Sequence, residues 1–530
     1  VCAVTRLRWI VPAVLVVVLV AAAAPHLRDY GATWDEALGD LFFGQRYAAY
    51  FTSFDAKYLD FSLSGPAMEP DFSMSPFRFF PEQYYPLANV LAYGTSGMLA
   101  RWLDPVDGFH AFNLLLAAAF VIVFFDWIRR RFSMVVAVTT IALLFTTPRI
   151  WYDLMVNVKD FPEMVFFTLA AIAFYEALTR DAMRWYVVAG VLLGCALAAK
   201  PNALFLPFIP FAYLLATRRR ERATWLRFVA AGLLGVAVMI ALWPWLWSDP
   251  IGRLYENLRY LATRANDTVP AEQTSPLTMV LLTTQPLFLM LVPFGLVAAV
   301  RRKEWFLLCW LGVIALRLAL PGSINFDGVR HFLELFPPLA LAAALALERL
   351  RPRVALAIAL IAVVPGVAGI VRMHPFEDAY WNVFSGGLRG AASRHIPQWG
   401  EYWGTSYRQG IDWLNRNAPR HSAIAVPVAE QTVALVAPFR LRPDLELVRY
   451  RPALPPYDRD RLPHLIARTR RQPVFIMFIT REEAANELTR VAERELQPVA
   501  EWSRDGVVLM RIYDARKTKK PPVSRRPSDH

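Results

Sequence analysis

The sequence predicts an α-helical polytopic membrane protein with a C-terminal extracytoplasmic α/β domain. Three observations carry this. Hydrophobic residues make up 56% of the 530 and charged ones only 19%, whereas a soluble domain is roughly half apolar and a quarter charged. The apolar residues arrive in blocks of about 17 to 22, the length a helix needs to cross a hydrocarbon core. After about residue 372 those blocks stop and short strand-like runs begin.

Taken in order, the blocks give about eleven spans: 8–27, 109–128, 133–151, 161–178, 185–199, 203–217, 226–246, 283–300, 304–320, 333–348 and 354–371. The first follows Arg6 and Arg8 and ends in "AAAAP", so it could pass for a cleaved signal peptide. An uncleaved span is the better reading, because the acidic stretch "DYGATWDEALGD" (29–40) begins at once and needs an anchor. The block 86–103, with its Gly, Ser and Tyr, reads as an interfacial helix rather than a span. Lys and Arg in short loops mark the cytoplasmic side. With a cytoplasmic N-terminus, the basic loops at 129–131, 180–184, 218–222, 301–303 and 348–353 all fall inside, and the alternation runs without a skip.

The membrane domain is therefore 1–371, and its outer side receives the long first loop 28–108, then 153–161, the turn at Lys200-Pro201, 247–282 and 321–332. The α/β domain spans 372–515. Its strands are expected at "SAIAVPVA" (422–429), "LELVRY" (445–450), "PVFIMFI" (473–479) and "VVLMRIY" (507–513), with a helix near 481–494. The Pro-rich polar end, 516–530, is expected to be disordered. No internal repeat is visible, which disfavours a transporter built from paired halves.

The net charge of +13 does not indicate a nucleic-acid partner, because the basic residues sit in short clusters between apolar blocks. Cys2, Cys195 and Cys309 offer neither a disulfide framework nor metal-ligand spacing. The bilayer is the evident partner.

Charge beside a span is costly and tends to mark function. The outer-facing set is short and of mixed sign: Asp35, Glu36 and Asp40 in the first loop, Lys159 and Asp160 in "NVKDFPE", Lys200 in "AAKPNALFLP", and Arg330-His331 in "DGVRHFLELFPP". A sugar on a lipid phosphate matches such a site. Cations hold the phosphate as negative charge builds on the departing oxygen, and a carboxylate takes the proton of the attacking hydroxyl. No nucleotide-sugar site is required, and the sequence has no Gly-rich phosphate loop or Rossmann fingerprint.

These segments carry a resemblance. "TWDEALGD", "YYPLANVLAYG" (84–94), "NVKDFPEMVFF" (157–167), "AAKPNALFLP" (198–207), "WPWLWSDP" (243–250) and "VRHFLELFPPLALAAA" (329–344) resemble, in that order and on that side, the GT-C-fold membrane glycosyltransferases of the protein O-mannosyltransferase and aminoarabinose transferase group, glycosyltransferase family 39-like. "HPFEDAYWNVFSGGLRGA" (374–391) and "EYWGTSYRQGIDWLNRNAP" (401–419) resemble the tail of a bacterial subgroup. The resemblance implies a bacterial inner-membrane enzyme that transfers a sugar from a polyprenyl-phosphate donor. It implies Asp35 as base or acceptor-orienting group with Glu36 beside it, Asp160 as a second catalytic acid, and Arg330 as a phosphate contact. Lys200, Lys159 and His331 join the phosphate contacts by charge and place. Some members of the group bind a divalent metal. No metal residue is assigned here, since no cluster has ligand spacing in the sequence. The acceptor, whether protein, lipid or glycan, is not legible.

Each residue has a plainer reading as well. Asp160 suits a helix N-cap ahead of Pro162. Lys159 and Lys200 could snorkel to the interface, "WPWLW" could be an aromatic belt, and "EYW" (401–403) could pack the outer domain onto the bundle. Three other functions stay open: a flippase for a lipid-linked glycan, an assembly protein recruiting partners through its outer domain, and a transferase of a whole oligosaccharide or an aminosugar onto lipid or polymer.

Overall fold

The first helix, α1 (Cys2–Ala23), has no acidic residue and continues as a 3-10 turn, Ala24–Asp29. It stands at the start of a computed structural model that describes residues 2–61, 80–267, 274–320, 323, 325–448, 469 and 471–519. Parts of three expected outer loops (62–79, 268–273 and 321–322), the end of "LELVRY" and the tail from 520 lie outside the described residues.

The long first loop is helical where described. Backbone from 34 to 53 is continuously helical: a π-turn, Glu36–Asp40, leads into α2 (Leu41–Ser53), and α3 (Pro86–Leu99) packs against α2. The helix expected at 86–103 is thus present, with Leu91 and Met98 exposed. The helices α4 (Pro105–Arg131), α5 (Met134–Phe145), α6 (Pro148–Val156), α7 (Asp160–Arg180), α8 (Met183–Leu197), α9 (Phe208–Ala216) and α10 (Arg222–Leu242) follow. After them come α11 (Pro250–Asp267), α12 (Pro276–Thr283), α13 (Pro286–Arg301), α14 (Trp305–Ala319), α15 (Phe336–Leu345) and α16 (Pro352–Met373).

Every expected span corresponds to helix, but not every one to a straight helix of spanning length. Among the described residues, five helices are long and apolar enough to cross a bilayer: 9–29, α4, α7, α10 and α16. The count becomes seven if each bent pair is one span, α5 with α6 bent by 70° and α12 with α13 by 118°. The Pro residues at 148 and 286 open the second member of each pair. Proline lacks the N–H that would continue the preceding ladder, so the break falls there. Helices α4 and α7 are buried along most of their length, whereas α10 and α16 turn Leu233, Val236, Leu360 and Val364 outward. Helices α8 and α10 approach through Gly190 and Gly194, a G-x-x-x-G pair; a Cβ at Gly194 would lie 2.5 Å from Val238 Cβ.

The ends of the bundle differ in charge. At one end Arg131 pairs with Glu304 and Arg302 with Glu348, so basic loops from three parts of the chain meet there. At the other end the C-terminal domain docks. Helices α17 (Gly387–Ser393), α18 (Tyr407–Asn417), α19 (Glu430–Arg440) and α20 (Glu487–Glu495) accompany a five-stranded sheet of order β2-β1-β3-β5-β4. Its strands are β1 (Ala423–Ala425), β2 (Glu446–Leu447), β3 (Val474–Ile479), β4 (Leu496–Arg504) and β5 (Val507–Thr518).

Strand β1 pairs parallel with β2 and β3, while β5 is antiparallel to β3 and β4. All four expected strands are found. The fifth, β4, was hidden by its polar residues, although Asp505-Gly506, both with positive φ, is the hairpin signal that joins it to β5. The disordered tail expected from 516 must be corrected at its start. Strand β5 runs to Thr518, because Leu496 pairs with Thr518 across the hairpin. The helix expected at 481–494 is a short 3-10 turn, Glu482–Ala484, followed by α20.

Candidate active site

"TWDE" (33–36) is a capping box. The Glu36 N–H donates to Thr33 Oγ1 at 3.1 Å and Thr33 N–H donates to Glu36 Oε2 at 2.7 Å. Glu36 is thereby turned into the protein, where Oε1 also meets His110 Nε2 at 2.8 Å. Glu36, expected beside Asp35 in the catalytic role, is held by Thr33 and His110 and is absent from the described lining of the cavity next to Asp35. Asp35 sits on the first turn and points the other way.

Asp35 Oδ2 lies 2.7 Å from Lys159 Nζ and 3.0 Å from Arg330 Nη1. Lys159 precedes α7, whose first residue is Asp160. The N-cap expected of Asp160 is performed by Asn157, whose Oδ1 accepts from the N–H groups of Lys159 (3.3 Å) and Asp160 (2.8 Å). The Asp160 carboxylate is therefore available to cations: Oδ1 to Lys200 Nζ at 2.6 Å and Oδ2 to Arg330 Nη1 at 3.4 Å. Asn157 Nδ2 donates to the same Oδ2 at 3.0 Å. Lys200 does not snorkel outward, since its side chain is buried against Asp160 and its Nζ is 3.4 Å from His331 Nδ1.

Arg330 is delivered by a sharp turn. Asp327 (φ 55°) and Gly328 (φ 71°) are both left-handed, a conformation that Gly adopts without steric cost and Asp tolerates. A Cβ on Gly328 would lie 2.1 Å from Arg149 Nη1, so bulk is excluded there as well. Asp327 Oδ2 then takes Arg330 Nη2 at 2.7 Å, while its Oδ1 takes Arg481 Nη2 at 3.2 Å. The guanidinium of Arg330 lies 4.8 Å from the Trp403 ring centroid. The "EYW" segment therefore packs the C-terminal domain onto the bundle and also walls the site: Trp34 N–H donates to Trp403 O at 2.8 Å.

These groups border a cavity of about 360 Å³ whose lining includes Asp35, Lys159, Lys200, Arg330, His331 and Arg317, with Tyr85, Leu204, Phe205, Tyr260 and Leu320 as its apolar wall. Accessibility separates the two carboxylates. The side chains of Asp35 and Lys159 are each 19% exposed, whereas Asp160 is 1% and Arg330 3%. Asp35 is open to the cavity, and Asp160 is buried against Lys200 and Arg330. The Trp residues of "WPWLW" also need correction as a belt. Trp243 and Trp245 are buried, Trp243 lying against Tyr85 with ring centroids 4.7 Å apart, and only Trp247 is exposed.

Sequence reasoning grouped Asp40 with the outer-facing charges but gave it no role, and it left Asn157 and Arg481 out. Asp40, on the π-turn, is 3.8 Å from Lys159. Burial pushes its carboxyl up to about 7 against the pull of Lys159, with Asp35 and Glu36 adding to the rise. Lys159 is depressed by burial, but Asp35, Asp40 and Asp160 outweigh this and raise it. Asn157 stands in the quoted motif as an ordinary polar residue. Arg481 belongs to the C-terminal domain, and nothing in its sequence neighbourhood marks it. A divalent metal does not fit this cluster, because its carboxylates already face Lys159, Lys200 and Arg330 and a further positive centre would be repelled. A second cavity of about 470 Å³ between α2 and α3 contains Arg46, but that guanidinium donates to the carbonyls of Lys57, Tyr58 and Asp60.

The fold is that of the GT-C membrane glycosyltransferases. It is similar to ArnT from Cupriavidus metallidurans in the apo state, at 16% identity and a TM-score of 0.53, over 94% of this chain and 97% of that one. The same protein bound to undecaprenyl phosphate matches at 15% identity and a TM-score of 0.50, over 97% and 98%. The Archaeoglobus fulgidus oligosaccharyltransferase in its apo form matches at 12% and 0.50, over 94% of this chain and 74% of that one. In sequence, residues 107–247 match the family described as dolichyl-phosphate-mannose-protein mannosyltransferase. A search of curated proteins by sequence finds no significant match. The fold is thus the GT-C one, with a family match in sequence over residues 107–247 of the chain.

Proposed function

We propose that the protein transfers a sugar from a polyprenyl-phosphate donor to an acceptor at the extracytoplasmic face of a bacterial inner membrane, with Asp35 as the base. The observation that carries the reading is the meeting of Lys159, Lys200 and Arg330 on one cavity whose accessible carboxylate is Asp35. ArnT, similar in fold, has been crystallised with undecaprenyl phosphate, which supports a lipid-linked donor. The orientation, with the N-terminus cytoplasmic and the C-terminal domain outside, rests on the basic loops gathered at the end of the bundle away from the cavity.

Without donor, Asp35 neutralises Lys159 and Arg330. An arriving phosphate takes over those cations together with Lys200, and His331 lies beside Lys200 to contribute a further contact. Asp35 is then released toward the acceptor. It accepts the hydroxyl proton as the acceptor oxygen bonds to the anomeric carbon. The bond from that carbon to the phosphate oxygen breaks, its electron pair leaving with the polyprenyl phosphate, whose added charge the three cations stabilise. A single displacement inverts the anomeric centre. Asp160 and Asp327 hold the cations in place throughout.

The test is sugar release from radiolabelled polyprenyl-phosphate sugars by the purified protein and by Asp35→Asn at matched folding. A loss of about a hundredfold or more, within the range general-base removal explains, is expected. Full activity in the variant removes the base, and binding without turnover by either protein favours a flippase.

A further inference from the structure

We infer a second site, a divalent-metal site that takes zinc, where the first and last spans leave the bundle. Among the described residues, one group of His, Cys, Asp or Glu side chains can converge on an ion: His26, Asp29 and His374, whose donor atoms all lie within 4.8 Å of one another. His26 Nδ1 is 2.7 Å and His374 Nε2 3.0 Å from the same oxygen, Asp29 Oδ2. Tetrahedral zinc with bonds of about 2.0–2.1 Å places its donors roughly 3.3 Å apart, so shifts of about an ångström would admit it.

The other nitrogen of His374 carries the argument further. Nδ1 lies 3.0 Å from Oε1 of Glu377, a buried carboxylate that also accepts from the Tyr30 hydroxyl at 2.9 Å. A carboxylate behind a histidine fixes its tautomer, holds the proton on Nδ1 and aims the Nε2 lone pair at a metal. Two imidazoles and a carboxylate, with His26 and Asp29 open to water, form a three-ligand set with room for a fourth, a donor mix that suits zinc better than magnesium or calcium.

The sequence alone hides this site, since Asp29 and His374 are 345 residues apart. The outer domain touches both: Gln409 Nε2 donates to Asp29 O at 2.5 Å, and Arg504 donates to His374 O. A bound ion would staple the first span, the last span and the outer domain together, six residues before Asp35. Without a metal, His374 faces carboxylates from both ring nitrogens and must be an imidazolium bridging them. That is the competing reading.

The test uses the full chain in detergent, stripped by a chelator, offered Zn²⁺, Mg²⁺ or Ca²⁺, and passed through gel filtration before metal analysis. About one Zn²⁺ per chain should be retained. A chromophoric chelator should show binding at least tenfold weaker in His26→Ala and His374→Ala, and about 10- to 100-fold weaker in Glu377→Gln. His26 is exposed and, among the described residues, meets Asp29 and the His374 ring, so His26→Ala keeps the test alive if His374→Ala fails to fold. Retention unchanged in His26→Ala, preference for magnesium or calcium, or no retention by the wild type overturns the site and leaves the bridging imidazolium. The readout is metal, so it stands or falls independently of donor turnover.

Discussion

Asp35→Asn separates a base from a structural carboxylate when donor binding and turnover are measured apart. The side chain keeps its shape, and the helix start is untouched because Thr33 and Glu36 form the cap. The amide cannot take a proton, so turnover at saturating donor should fall by about 10²–10⁴, or roughly 3–5 kcal/mol of barrier. Binding should move the other way. Asp35 occupies Lys159 and Arg330 at 2.7 and 3.0 Å, and a phosphate must displace it. The pair is partly exposed, between surface pairs worth under about 1 kcal/mol and buried ones worth several. Removing the competitor should therefore tighten the donor by about 1 kcal/mol, close to fivefold. The assay is a donor-binding isotherm beside single-turnover sugar release. A weaker donor with unchanged turnover at saturation would refute the reasoning, because it would make Asp35 a binding group and not a base.

Three further predictions follow the same geometry. Asp160→Asn removes the buried partner of Lys200 and should cost about 3 kcal/mol or more, read as a lowered unfolding midpoint in detergent even where some donor binding survives. Asp40, raised on folding, binds more protons folded than unfolded between its ordinary value and about 7. Its stabilising contribution is present in acid and lost as pH rises through about 7, by at most about 4 kcal/mol. The difference in stability between wild type and Asp40→Asn should therefore change with pH across 4–7 and stay flat above about 8. Glu36→Gln keeps a capping-box residue but weakens the His110 contact. It should lower stability by about 1 kcal/mol while turnover per folded molecule stays within about twofold.

Much of this was legible along the chain. Apolar blocks of spanning length mark the membrane helices, since lipid demands that each backbone polar group be satisfied within its own segment. Alternating apolar runs mark four of five strands, and charges stranded beside spans mark Asp35, Lys159, Asp160, Lys200 and Arg330. What sequence could not separate was neighbours of like charge. Asp35 and Glu36 are adjacent acids, and a helix turn of about 100° per residue sends one to the cavity and the other to Thr33 and His110. The T-x-x-E spacing was the available clue.

Composition and periodicity thus determined the class of fold and the apolar helices, because burial in lipid or water acts on each segment separately. Only the tertiary structure decided which charges meet. It gave the N-cap to Asn157 and released Asp160 to Lys200, turned Trp243 and Trp245 inward behind the cavity, and carried Arg481 from the C-terminal domain to Asp327. It also brought His374 to Asp29. Ion pairs and metal ligands depend on distances of a few ångströms between residues hundreds apart in the chain, and no local pattern encodes those distances.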